Sequence, residues 1–198
     1  MERERPYLKF GNGYATREKM AIEIEKKYRM RPELRDEIID SLNEFGAIFE
    51  GEDVEENTIF GNSDLVERNA VVRIRRTQNS TILTYKQRIK STSDAKQQIE
   101  FETEVSDAES ARSIVESIGL NPVLIYEKRR KKYRFRKVEI VFDVLPFGLF
   151  MEIEGPISAI AEVEMLLGIE DLEVEPETYP RLTMKLGTRN GDVIESRF

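Results

Sequence analysis

The sequence contains no histidine, no cysteine and no tryptophan. Without His or Cys the chain cannot build a Ser-His-Asp triad, a thiol nucleophile, a His proton shuttle, a Cys/His zinc site, a His- or Cys-ligated haem or an iron–sulfur cluster. Its chemistry must rest on carboxylates, Lys, Arg, Tyr or a hard cation held by oxygen. Nor is there a disulfide framework, which fits a cytoplasmic protein. No apolar run approaches the roughly 20 residues that span a bilayer, and residues 1–20 lack the apolar core of a signal peptide. A membrane partner is therefore not expected.

What the chain has instead is charge. Of its 198 residues 35% are charged, against roughly 25% in a typical domain. The 39% hydrophobic content, with 10 Phe and 7 Tyr, is that of a folded protein rather than a disordered acidic one. A net charge of −7 weighs against nucleic acid as a partner.

Residues 1–20 read as a polar extension, whose Gly11-Asn12-Gly13 signals a turn and is too short to cradle phosphate. Residues 21–198 carry no strong linker and read as one domain. Three helices are predicted: about 32–45, with Pro32 at its start and Gly46 at its end; from the capping box Ser106-Asp107-Ala108-Glu109 to Gly119; and about 158–167, stopping at Gly168. Strands with period-2 alternation are predicted at 21–30, 54–60, 69–76, 81–88, 97–105, 125–136, 137–144 and 149–154. Many short strands and few helices point to a closed antiparallel sheet with helices packed outside, an α+β architecture.

The alternation is between apolar residues and charge. Glu23, Glu25, Lys27 and Arg29 share a face opposite Ile22, Ile24 and Tyr28; Arg73 and Arg75 share one, as do Lys86 and Arg88. Glu100, Glu102 and Glu104 oppose Ile99, Phe101 and Val105, while Lys128, Arg130, Lys132 and Arg134 line up on another strand, and Glu152 and Glu154 on a further one. Side chains on a strand alternate strictly between faces. For a single strand, a charged face in water is the simplest account. Repetition of Glu-x-Glu and Arg-x-Arg over the whole set favours a barrel lined with both signs of charge. Such a lining is stable when filled, since clustered carboxylates raise one another's pKa and clustered cations repel. A polyanion with a hard divalent metal suits both signs: Lys and Arg neutralise phosphate oxygens, and carboxylates hold Mg²⁺ or Mn²⁺. Charge complementarity points to a triphosphate-bearing small molecule.

These motifs, in this order, resemble the CYTH superfamily of triphosphate tunnel metalloenzymes. The opening signature stands as Glu23-Ile24-Glu25-Lys26-Lys27, followed by Val72-Arg73-Ile74-Arg75, Leu83-Thr84-Tyr85-Lys86 and Glu102-Thr103-Glu104. Lys128-Arg129-Arg130-Lys131-Lys132-Tyr133, Asp143 and Gly148-Leu149-Phe150-Met151-Glu152-Ile153-Glu154 complete the set, with a late lysine at Lys185. The resemblance covers about residues 21–187. It implies a closed eight-stranded antiparallel tunnel, open at both ends. It further implies metal ligation by Glu23, Glu25, Asp143, Glu152 and Glu154, and phosphate binding by Lys27, Arg73, Arg75, Lys86, Lys128, Arg130 and Lys185. Glu102 and Glu104 would complete a second metal site, position water, or form internal salt bridges to the basic strands. With no His, proton work falls to a Glu of raised pKa, a Lys or metal-activated water; Glu102, Glu104 and Lys86 are the catalytic candidates that the resemblance implies.

Two departures bear on the activity. Where the cyclase branch carries Asp-x-Tyr-Phe this chain has Glu56-Asn57-Thr58-Ile59-Phe60, and Val144-Leu145-Pro146-Phe147-Gly148 lacks the acidic residues common there in cyclases. Both favour a metal-dependent triphosphatase acting on inorganic triphosphate, thiamine triphosphate or a nucleoside triphosphate. A class IV adenylyl cyclase forming cyclic AMP and pyrophosphate from ATP is the alternative, and a non-catalytic polyphosphate or nucleotide sensor a third. A homodimer is a possible assembly.

Overall fold

A computed structural model describes residues 21–89 and 96–198, with side chains described for 24–89 and 97–198. The predicted extension at 1–20 lies outside the described residues. The strands are β1 (Ala21–Met30), β2 (Ile48–Gly61), β3 (Ala70–Arg76), β4 (Thr81–Ile89), β5 (Lys96–Glu104), β6 (Asn121–Phe135), β7 (Val138–Leu145), β8 (Gly148–Glu154), β9 (Thr188–Asn190) and β10 (Val193–Ser196). The helices are α1 (Pro32–Glu44), α2 (Ser63–Glu67), α3 (Ala108–Ser117), α4 (Ile157–Leu167) and α5 (Tyr179–Leu186).

The strands hydrogen-bond in the order β2-β3-β4-β5-β1-β8-β7-β6, and a further β2–β6 pairing joins the two ends. Eight strands, antiparallel at every one of these junctions, therefore form a ring. β10 adds to the outside of β6 in parallel and carries β9.

Alternation sends the apolar face outward. Tyr28, Tyr133, Ile140, Phe142, Met151 and Ile153 form a core under Ile38 and Leu42 of α1 and Ile160 and Val163 of α4. Phe60 and Ile74 do the same beneath Leu65 of α2 and Ala111 and Val115 of α3. Lys26, on the apolar face of β1, is reconciled with burial by Glu164 of α4, whose carboxylate accepts from its ammonium at 3.0 and 3.1 Å and from the Tyr28 hydroxyl.

Several boundaries differ from the predicted ones for local reasons. β2 begins at Ile48 rather than 54, because a register shift between Phe49 and Gly51 lets the strand bend and continue through its acidic stretch. Gly51, at φ 132°, supplies the backbone freedom for that bulge. The cap of α3 is Asp107, whose side chain accepts from the Ser110 amide, one residue beyond the predicted Ser106. Neither α2 nor α5 is predicted as a helix: α2 is too short to display a period, and Pro180 in the first turn of α5 reads as a turn signal.

Candidate active site

The inward faces follow from register. On β6 they read Leu124, Tyr126, Lys128, Arg130 and Lys132; on β2, opposite, Ile59, Asn57, Glu55 and Asp53. β3 contributes Val71, Arg73 and Arg75, with Arg73 beside Ile59 and Arg75 beside Asn57. Thr84 and Lys86 of β4 face Glu102 and Glu100 of β5. Lys27 of β1 pairs with Glu152 of β8. All of these side chains except the fully buried Asn57 and Thr84 line a cavity of about 1070 Å³ inside the ring. The lining also holds an apolar set, to which α2 and α5 add Leu65, Val66, Pro180 and Met184.

The charges alternate in sign around the wall. Glu152 lies 3.2 Å from Lys27 and 2.9 Å from Arg130. Arg130 donates to Asp143 through Nε at 2.7 Å and Nη2 at 2.6 Å, and Lys128 adds a third cationic donor at 3.3 Å. Lys128 also reaches Glu55 at 3.3 Å, and Arg75 stands 3.9 Å from the same carboxylate. Arg75 continues to Glu102 at 3.4 Å, Arg73 to Glu102 at 3.5 Å and to Glu100 at 3.7 Å, and Lys86 pairs with Glu100. Thr84 donates to Glu102 at 3.1 Å and accepts from Arg73 at 3.2 Å.

The electrostatics of the buried members are opposed pulls. Burial alone would push Glu55 up, but Lys128, Arg130 and Arg75 outweigh it and hold the carboxyl at about 2. The same contest leaves Asp143 well below the carboxylate range, with Arg130, Lys128 and the Tyr179 hydroxyl prevailing over burial. Burial and the neighbouring Arg130 pull Lys128 down, against the opposing pull of Asp143 and Glu55. Glu154 behaves in the opposite way: burial and then the charges of Glu139 and Glu25 push it up to about 7.

That last shift has a register behind it. Glu25, Glu154 and Glu139 stand directly opposite one another across β1, β8 and β7. Adjacent like charges oppose ionisation, and a hard divalent cation among oxygen donors relieves that opposition. The chemistry of this donor set therefore fits a divalent metal. Among the described residues, no three acidic side chains stand close enough together to hold a metal ion as they are.

The predicted residues do not all share one place. Lys27, Arg73, Arg75, Lys86, Lys128, Arg130, Glu102, Glu152, Glu154 and Glu25 all line the cavity. Asp143 is fully buried behind them, held by Arg130, Lys128 and Tyr179. Glu104, last in β5, is exposed and stands apart from the lining, and the side chain of Glu23 lies outside the described residues although its backbone pairs with Gln98. Lys185, expected as a late tunnel lysine, sits on the exposed side of α5, paired with Glu177 and apart from the lining. Among the lining residues that sequence reasoning misses are Glu55, Glu139 and Tyr179. Glu55 is legible as the inward member of an alternation through Asn57 and Ile59; Tyr179 carries no local signal.

A closed antiparallel ring with buried cations and carboxylates in alternation, and a row of three carboxylates, has the charges to hold a small polyanion. The CYTH domain family matches residues 21–180, and the chain belongs to that family. The protein PH1012 of Pyrococcus horikoshii shares the fold with a TM-score of 0.69 at 26% identity, over 81% of this chain and 98% of its own. A candidate adenylate cyclase from Vibrio parahaemolyticus gives 0.65 at 19% identity, over 81% and 97%. HpAC1 from Hippeastrum, a candidate adenylyl cyclase with a dominant triphosphatase activity, gives 0.61 at 18% identity, over 82% and 95%. No curated protein matches the chain significantly. CYTH relatives act on triphosphate substrates, and CYTH tunnel enzymes generally use divalent metal ions. No helix among the described residues is long and apolar enough to cross a membrane.

Proposed function

We propose that this chain is a metal-dependent triphosphatase that hydrolyses inorganic triphosphate or a small organic triphosphate inside the tunnel. The observation that carries the reading is the convergence of Lys27, Lys128 and Arg130 on Asp143 and Glu152, all within one wall of the cavity. Cations so held are fixed in place before a substrate arrives, which is how an enzyme stabilises developing negative charge without reorganising.

In this scheme Lys27, Lys128, Arg130, Arg73 and Arg75 hold the phosphoryl oxygens and align the chain of phosphates for in-line attack. Glu25 and Glu154, with Glu139 beside them, would hold a divalent ion such as Mg²⁺ or Mn²⁺. Such an ion, when bound, neutralises charge on the transferred group and its leaving oxygen. Glu102 would orient the attacking water. Its oxygens accept from Thr84, Arg73 and Arg75, while more than a third of its side chain stays open to the solvent of the cavity. Lys86 beside it, paired to Glu100, is a proton donor for the leaving oxygen.

A second reading draws on the apolar set. Ile59, Val71 and Leu124 each lie two residues along their strand from a charged or polar inward side chain, and Val66 and Met184 join them in the lining. A nucleoside fits there, with its phosphates on the cations, as an adenylyl cyclase requires.

Product analysis separates the readings. The protein is incubated with Mg²⁺ or Mn²⁺ and, in turn, inorganic triphosphate, thiamine triphosphate and ATP. Release of orthophosphate is expected, dependent on the divalent ion and abolished by chelator. Cyclic AMP with pyrophosphate would establish the cyclase instead, and tight binding without turnover a sensor.

A further inference from the structure

We infer that Tyr179 is a positioning residue of the tunnel, carried in by α5 to fix Lys27 with its ring and Asp143 with its hydroxyl. The inference rests on the assignment of Lys27 and Arg130 to polyanion binding. It adds to the strand-borne site a residue from outside the ring.

The geometry is direct. The Tyr179 hydroxyl donates to Asp143 Oδ2 at 2.9 Å, and the Lys27 ammonium lies 3.6 Å from the centroid of the same ring. Phe150 meets the ring edge-to-face at 5.4 Å and holds its plane. Tyr179 is only 5% exposed, so the contact with Lys27 is desolvated, the condition under which a cation over a ring face matters most.

Lys27 depends on this region for its position. Of its described polar partners one, Glu152 at 3.2 Å, comes from the tunnel strands. The others are the Glu177 carbonyl, which accepts from the ammonium at 3.2 Å, and the ring of Tyr179. The segment that supplies both is bonded to the same residue of β1: the Glu175 amide donates to the Lys27 carbonyl at 2.7 Å, and Val174 bridges to Tyr28. Thr178 then caps α5, its side chain accepting from the Arg181 amide, so that the helix starts at Tyr179. Strap, cap and ring act together on one ammonium.

The hydroxyl does a different job from the ring. Asp143 Oδ2 accepts from Arg130, Lys128 and Tyr179, so the phenol shares the anchor on which two tunnel cations are mounted. Burial and the neighbouring Asp143 and Glu152 push the phenol well above its ordinary range, which keeps it a donor and not a base. Removing the hydroxyl loosens Asp143 while leaving the ring on Lys27; removing the ring releases both.

That separation gives the test. Tyr179→Phe and Tyr179→Leu are made in the full chain, with folding checked by thermal unfolding. Magnesium-dependent hydrolysis of inorganic triphosphate and its binding in EDTA are then measured. The Lys27 side-chain resonances are recorded as well, since protons held over a ring face are shifted upfield. The shift is expected in the unaltered chain and in Tyr179→Phe, and lost in Tyr179→Leu. Tyr179→Phe should lower kcat about tenfold with KM nearly unchanged, and Tyr179→Leu should raise KM about tenfold as well. Absence of the upfield shift in the unaltered chain, or a Tyr179→Leu chain equal to it in both constants, overturns the positioning role. Absence of both binding and turnover in the unaltered chain overturns the triphosphatase reading, whereas the Lys27 shift still judges where Tyr179 sits.

Discussion

Arg130 clasps Asp143 side-on, its Nε and Nη2 reaching the two carboxylate oxygens at 2.7 and 2.6 Å, with Asp143 fully buried. A bidentate guanidinium–carboxylate pair fixes orientation as well as charge. Arg130 also reaches Glu152 at 2.9 Å, so it is the tie between β6, β7 and β8 on the inner wall. Arg130→Met leaves the buried Asp143 with two donors and no guanidinium. Urea unfolding should show a loss of about 3–5 kcal/mol, the range for an interior charge stripped of its main partner. Arg130→Lys restores the charge but not the paired bonds, and should recover under half of that loss.

Lys27 and Lys185 make a matched contrast. The motif pattern puts both among the phosphate-binding residues, but Lys27 is 1% exposed inside the tunnel, whereas Lys185 stands on the open side of α5 against Glu177. Lys27→Met should lower kcat/KM for triphosphate by about a hundredfold or more, the scale for losing a fixed charge donor in a water-poor site. Lys185→Met should stay within about twofold, as exposed ion pairs contribute little. Steady-state kinetics on the two variants decide it; equal losses would return Lys185 to the site.

How legible the site is in the sequence depends on the kind of signal. Strands announce their faces with period two, so alternation alone puts Lys27, Arg73, Lys86, Glu102 and Lys128 each on the charged face of its strand. Glu55 stands among Glu52, Asp53 and Glu56, so alternation puts it on the inward face without marking it as the one that lies buried between Lys128 and Arg75. Ring closure through β2 and β6 is a pairing between segments distant in sequence, with nothing local to mark it. Tyr179 is the extreme case. Its contacts with Lys27 and Asp143 span 152 and 36 positions, the differences between their residue numbers, and no periodicity reports a contact of that range. The family pattern points past it, to a lysine that the helix turns outward.

Glu55 contributes to stability against acid. Its carboxyl is held at about 2 in the folded chain against an ordinary 4.5. A depressed carboxyl binds fewer protons folded than unfolded, so its contribution is complete above pH 4.5 and is lost as pH falls towards 2. The contribution is on the order of 3 kcal/mol. Glu55→Gln should therefore flatten the decline of stability in this window and lower stability at neutral pH. Chemical unfolding of both chains at pH 3 and pH 6 measures the difference; a gap that does not narrow in acid would remove Glu55 from the account.

Glu154 acts in the opposite direction and in a separate window. Its carboxyl is raised to about 7 from 4.5, first by burial and then by Glu139 and Glu25. The folded chain thus holds a proton there that the unfolded chain has already released. Stability from this group is complete below pH 4.5 and is lost as pH climbs to about 7. In chelator, the unaltered protein should lose thermal stability over that interval, and Glu154→Gln should show a weaker slope because it cannot ionise. Magnesium bound, as proposed, to the ionised carboxylate row would stabilise the folded state by mass action, so it should restore the midpoint above pH 7. The restoration should be smaller in Glu154→Gln, which lacks one oxygen charge of the set. A slope unaltered by the substitution would show that the row of Glu25, Glu154 and Glu139 carries no shared proton, and would remove the electrostatic reason for placing a divalent ion there.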